Sequence, residues 1–418
     1  MKSAGRWVAG LSLLLFACNV ESTAGQNVGT GQPSHPGSVC PDGVTVLLSD
    51  FFSSLVALST LDGNTQSASF LSTGSRKTDG LSFALSGDVV LPSTRTLSGR
   101  VVLVDRFGTN VITWANPSSA EVLGQLPVGT GFESNPSDYL ELEDGRALVT
   151  RWGENSEPGR QAFDRGSDVL VIDSQGFQLL DSIELPRHDE LPPRPSSLSR
   201  VRDLVMVTLD RLSLDFSLTG EAELVGISSA TLEIEFVQRF VGLKGCGRPA
   251  LSPSGKLLAV ACSGSLNRKG EVSDLSESGL VLLDAESRPL RELQRFPAQT
   301  LAGAALQSSA VFASEDLLLW KTQTALGGSG NNRWLSLNVR EQSLRTLLEA
   351  GPDEAGTGKG IVYGGMACAP GCSDICLLAD ADRGVLQRAR ITADGAELLS
   401  PRQVESTVGL PPRDLSLR

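Results

Sequence analysis

The densest set of reactive side chains is "CAPGCSDIC" (Cys368–Cys376), three cysteines each separated by three residues. Clustered thiolates hold zinc or iron–sulfur centres, or pair as disulfides. The C-x3-C-x3-C spacing matches no common metal pattern, and no histidine stands nearby to complete a tetrahedral site. Histidine chemistry is equally sparse. His35 and His188 are the two histidines, so a Ser/His/Asp or Cys/His mechanism would have to rest on His188. That residue sits in the polar stretch "ELPRHDELPPR" and reads as an exposed linker histidine. "GPDEAGTGKG" has the outline of a phosphate loop, but Asp353 stands where the first glycine belongs and Gly360 where Ser or Thr would hold magnesium. "ADADRG" (Ala379–Gly384) begins like a calcium loop and lacks the later acidic ligands. These motifs predict no catalytic residue, no metal and no cofactor.

The elements that would position any site come from a repeat. Seven pieces share a strand–turn–strand shape, beginning at Leu55, Val101, Val169, Leu224, Leu280, Trp334 and Arg388, with gaps of 46, 68, 55, 56, 54 and 54 residues. The fifth position of each is Ser59, Asp105, Asp173, Ser228, Asp284, Asn338 or Thr392. Every one carries a side-chain oxygen able to bond backbone just ahead and start a turn. An apolar strand introduced by Gly, Asp or Ser precedes each piece, as in "EDGRALVTRW" and "PSGKLLAVAC". Before that comes a smaller, more polar segment: "GLSFALS", "DYLELE", "RPSSLS", "GRPALS", "QSSAVFA" or "GGMACAP".

Four short strands per unit, repeated seven times, predict an all-β chain: a seven-bladed β-propeller of four-stranded antiparallel blades over residues 40–418. The pattern resembles the WD40-like and YVTN-type propellers of bacterial secreted proteins, although no Trp-Asp dipeptide closes the blades. Only "GVTVLLS" precedes the Leu55 piece, so blade 1 lacks an inner strand. The unused "LPPRDLSLR" (Leu410–Arg418) is similar to the inner segment "LPPRPSSLS" (Leu191–Ser199). The C-terminal strand is therefore expected to complete blade 1 and close the ring.

This fold narrows the cysteine pairings. Cys246 and Cys262 are equidistant from the turn residue Ser254, and Cys368 and Cys376 from Cys372. Cys40 precedes the second strand of blade 1, at the turn equivalent to that of Cys372. The expected pairs are Cys246–Cys262, Cys368–Cys376 and Cys40–Cys372, in an exported chain where disulfides persist.

Export is read from the start of the chain. "MKSAGRWVAGLSLLLFAC" joins Lys2 and Arg6 to a ten-residue apolar run, too short to span a bilayer and suited to a signal peptide (1–17). Its end, "LFAC", resembles a bacterial lipobox, which implies lipidation of Cys18. Asn19 after the cysteine implies outer-membrane sorting, with that lipid as the sole membrane contact. The Gly/Ser/Thr/Pro-rich remainder of 18–39 reads as a flexible tether. The net charge of −12 is spread without a basic footprint, which excludes nucleic acid as a partner; a monomer is expected.

Four long insertions, within Trp152–Ser167, Asp210–Glu223, Ser263–Gly279 and Lys321–Arg333, fall between second and third strands and so share one face. Insertions on one face of a repeat array mark a binding surface. The aromatic and Arg residues there, Trp152, Arg160, Phe163, Arg165, Arg333 and Trp334, are the types enriched at interface hot spots. The functional expectation is a non-catalytic binding or scaffold lipoprotein of the bacterial cell envelope, holding a protein or envelope polymer. The alternative is a propeller enzyme, a lactonase-like hydrolase or a quinoprotein-like dehydrogenase.

Overall fold

The computed structural model describes residues 40–75, 80–265, 272, 274–323, 332–349, 363–404 and 408–418. Cys18, the signal peptide, the tether, His35, residues 351–360 and parts of the last two insertions lie outside them. Seven separate four-stranded antiparallel sheets form the blades of a propeller. Strands are named inner, second, third and outer from the axis outwards.

The C-terminal strand Pro412–Leu417 pairs with Val44–Ser49 and becomes the inner strand of blade 1, as the unused tail predicts. Asp42 N donates to Arg418 O at 2.7 Å, extending the seam. All three expected disulfides are present: Cys40–Cys372, Cys246–Cys262 and Cys368–Cys376. The first ties the start of blade 1 to the inner-to-second turn of blade 7, across the ring's closing joint.

The buried apolar side chains fall into seven clusters, one in each space between neighbouring blades. Val46 and Leu415 of blade 1 pack on Leu377 of blade 7, for example, and Met206 of blade 4 packs with Val260 of blade 5. A strand's alternate residues point to opposite sheet faces, so the second and third strands, covered on both sides, read as unbroken apolar runs. Each sheet thus depends on two neighbours for burial worth about 25 cal/mol per Å² of apolar surface.

Nearer the axis the inner strands are joined by polar contacts. Asp414 of blade 1 accepts from Leu91 N of blade 2 at 3.0 Å, and Asp138 of blade 3 accepts from Leu198 N of blade 4 at 2.7 Å. Ser416, Ser137 and Ser199 each donate to a proline carbonyl of the next blade: Pro92, Pro195 and Pro249. Blades 5 and 6 approach so closely that a Cβ on Gly247 would stand 1.6 Å from Ser308 O.

Blade 2 departs from the sequence register. The piece from Val101 supplies its second and third strands (Val101–Asp105 and Val111–Ala115), not its third and outer ones. The inner strand is Val89–Val90, and the expected inner segment "GLSFALS" forms no strand. The true counterpart begins at Ile112, and its fifth position is the turn residue Asn116, whose Oδ1 accepts from Ser118 N at 2.9 Å. Spacings from Leu55 to Ile112 and from Ile112 to Val169 become 57 and 57 residues, which removes the irregular 46 and 68. A two-residue inner strand gives almost no apolar signal, so the neighbouring hairpin took its place. In blades 3, 5 and 6 the turns form as expected: Asp173, Asp284 and Asn338 each accept from the backbone N–H two residues on.

Candidate functional site

In a propeller blade the second-to-third connections and the outer-to-inner connections share one face. The inner-to-second and third-to-outer turns share the other. The described parts of the four insertions therefore lie on one face, and several of the most exposed apolar side chains join them on second-to-third connections: Phe51, Phe52, Phe107, Leu214, Phe216 and Leu218. In blade 4 the insertion is a small hairpin, closed by the Leu212–Thr219 bridge, that carries Leu214, Phe216 and Leu218 at its tip. These three are 65%, 59% and 62% exposed. Cys40 and Cys372 lie on the opposite face, where the chain enters the ring.

The predicted site residues do not converge. Trp152 belongs to the second strand of blade 3 and is half-buried. Arg194 stacks on its ring at 3.8 Å, and Phe216 stacks beside it at 5.7 Å between centroids. Arg160 and Arg165 are exposed and pair with Glu157 and Glu184. Phe163 is half-buried, its carbonyl accepting from Arg151 Nη2 and Thr130 Oγ1. Arg333 is half-buried and donates to Ala302 O. Trp334 corrects the sequence reading: it is 0% exposed within the cluster between blades 6 and 7. It is the second residue of the third strand (Arg333–Asn338), where an inward apolar position outranks proximity to the insertion. His188 is also more than a free linker residue, since its Nδ1 lies 2.9 Å from Glu223 Oε1, a fully buried carboxylate.

Trp152 does lead somewhere. Its Nε1 donates to Asp210 Oδ2 at 2.9 Å, and Asp210 lines the axial channel. The channel holds a cavity of about 290 Å³, walled by serines 93, 196, 197, 308 and 309 with Arg248, Asp210 and Asp414. Burial raises the pKa of Asp210 and Asp414 and lifts Asp138 to about 6. Asp138 nevertheless accepts from Ser93, Tyr139 and Leu198 N–H groups at 2.7–2.8 Å. Burial lowers Lys321 to about 7, where the field of Asp414 opposes the shift and that of Arg248 adds to it; its Nζ donates to Gly364 O. Arg248 is half-buried, its pKa lowered by desolvation against the fields of Asp138 and Asp414. Among the described residues its guanidinium has no hydrogen-bond or ion-pair partner.

Sequence reasoning missed the channel set, because Asp138, Asp210, Arg248, Lys321 and Asp414 come from five different blades. A usable signal existed in charged residues embedded in the small, polar inner segments, as in "GRPALS" and "RDLSLR". Among the described residues no cluster of His, Cys, Asp or Glu could hold a metal ion, and no helix is long and apolar enough to cross a membrane.

No family model matches the sequence, and no curated protein does. Solved structures do match in fold. The periplasmic gluconolactonase PpgL of Pseudomonas aeruginosa has a TM-score of 0.54 and 14% identity, covering 89% of this chain and 98% of that one. A hypothetical selenium-binding protein of Sulfolobus tokodaii gives 0.55 and 9%, covering 91% and 94%. Hydrazine synthase of Kuenenia stuttgartiensis gives 0.53 and 12%, covering 87% and 99%. At these identities the likeness shows the propeller fold alone.

Proposed function

We propose that this chain is an envelope-anchored, non-catalytic binding propeller that holds a protein or envelope polymer on its insertion-bearing face. The supporting observation is polarity. The chain enters at Cys40, fastened to Cys372 on the face opposite the insertions. A body tethered through residues 18–39 to a lipid on Cys18 presents its insertions away from the membrane. Exposed Leu214, Phe216 and Leu218 on that side supply the apolar centre a partner would cover.

Photo-crosslinking in intact envelopes tests the reading. A crosslinker at Leu214 or Phe216 should give discrete adducts that one at Leu97, on the opposite face, does not; equal or absent adducts at both would refute it. Cys18→Ser should release the protein from membranes, and continued membrane association would remove the lipid anchor from the account.

A further inference from the structure

The channel is a second place of interest, independent of the insertions. A buried or half-buried guanidinium ordinarily spends its five N–H donors on carboxylates and carbonyls. Arg151, in the wall between blades 2 and 3, does so completely: it bonds both oxygens of Asp168, together with Val128 O, Thr130 Oγ1 and Phe163 O. Arg248 spends none on the described residues, although two carboxylates lie within reach of its field. Those carboxylates are turned elsewhere. Asp138 is held by three backbone N–H groups and Asp414 by the N–H groups of Leu91 and Leu415, in the joints between blades. Arg248 therefore lines a serine-walled cavity with none of the described residues receiving its donors.

The geometry points to the axial channel as a binding site for a small monoanionic carboxylate, received by the Arg248 guanidinium, with the serine hydroxyls taking the ligand's other polar groups. A planar fork of donors matches a carboxylate bidentately. The cavity's volume sits at the lower edge of the usual ligand range of about 300–1,000 Å³, which sets the size class. The fields of Asp138 and Asp414 act on the cation and Asp210 lines the same cavity, so a doubly charged phosphate would meet more repulsion than a single carboxylate. The titrating groups in the channel are those three carboxylates and Lys321. As pH falls, Lys321 gains its charge near 7 and Asp138 loses its own near 6. Both changes favour an anion, so affinity rises towards the acid side.

The test is ligand-observed NMR titration of the full chain with lactate, pyruvate and gluconate, with inorganic phosphate and ethanolamine as comparators. At least one carboxylate should bind with a Kd in the millimolar range or tighter, more tightly than phosphate. Affinity should strengthen by about three- to tenfold between pH 8 and pH 6, as expected for one or two charges changed at close range. Arg248→Gln should weaken binding at least tenfold, and Arg248→Lys should restore part of it, with the melting curve of each variant confirming an intact fold. No carboxylate binding, binding that survives Arg248→Gln, tighter binding of phosphate or ethanolamine, or affinity that falls towards pH 6 would each overturn the assignment. Shortening the blade 4 hairpin should leave these constants unchanged.

Discussion

The wall between blades 2 and 3 and the axial channel each hold a cation in poorly solvated surroundings, and they treat it in opposite ways. Arg151 is closed: 0% of its side chain is exposed, Asp168 meets it with two oxygens, and carbonyls and a hydroxyl receive the remaining donors. Arg248 is open, with its neighbours' oxygens already committed to backbone. A buried charge whose hydrogen bonds are all made belongs to the architecture, because removing it strands its partner. One left with free donors costs the fold its desolvation, and that cost is offset only when something else arrives.

The contrast predicts large stability effects in the walls and seam, and small, pH-dependent ones in the channel. The largest effect should follow deletion of residues 410–418, which removes the inner strand of blade 1 and the burial of Leu415. The single cooperative thermal transition should be lost; an unchanged melt would mean that the ring does not rely on its clasp. Arg151→Met leaves Asp168 buried without its partner, and by equilibrium urea unfolding it should cost about 3–5 kcal/mol. Cys40→Ser with Cys372→Ser opens a link between residues 332 apart in sequence and should cost about 2–4 kcal/mol. Breaking Cys368–Cys376, only eight positions apart, should cost less, since a short loop restrains the unfolded chain less.

The smallest effect belongs to Lys321. Its folded-state pKa, about 7, lies below the ordinary 10.5, so between those values the unfolded chain binds more protons. Stability therefore rises with pH across that window, and the penalty is fully present below about pH 7. Asp138 works in the opposite sense: raised to about 6, it lowers stability as pH climbs from about 4 to 6. Lys321→Met should flatten the stability profile between pH 7 and pH 10 while leaving the limb below pH 6 in place. A profile unchanged by the substitution would show that the ammonium is solvated.

Much of the ring was legible because its signals are local. Turn oxygens such as Asp173 and Asp284 act within two residues of themselves, and the closing strand repeated a segment already present at Leu191–Ser199. Cys246–Cys262 and Cys368–Cys376 followed from register, which one turn fixes, and Cys40–Cys372 from the equivalence of turns in neighbouring blades. Blade 2 was misread where the local signal failed: Val89–Val90 is too short to show a period, and the ten residues before Val101 form an ordinary-looking loop. The channel was not legible at all, since its charges meet only when the ring closes. Trp334 shows the reverse error, where closeness to an insertion in sequence masked an inward-facing position on a strand.

The distinction between closed and open cations is tested most directly by equilibrium urea unfolding of Arg248→Met beside the wild type at pH 7, without added carboxylate. The variant should match the wild type within about 1 kcal/mol or exceed it, because a charge without a partner among the described residues is replaced by an apolar side chain. A loss of several kcal/mol, on the scale expected for Arg151→Met, would place Arg248 in the architecture and leave the channel without its receptor.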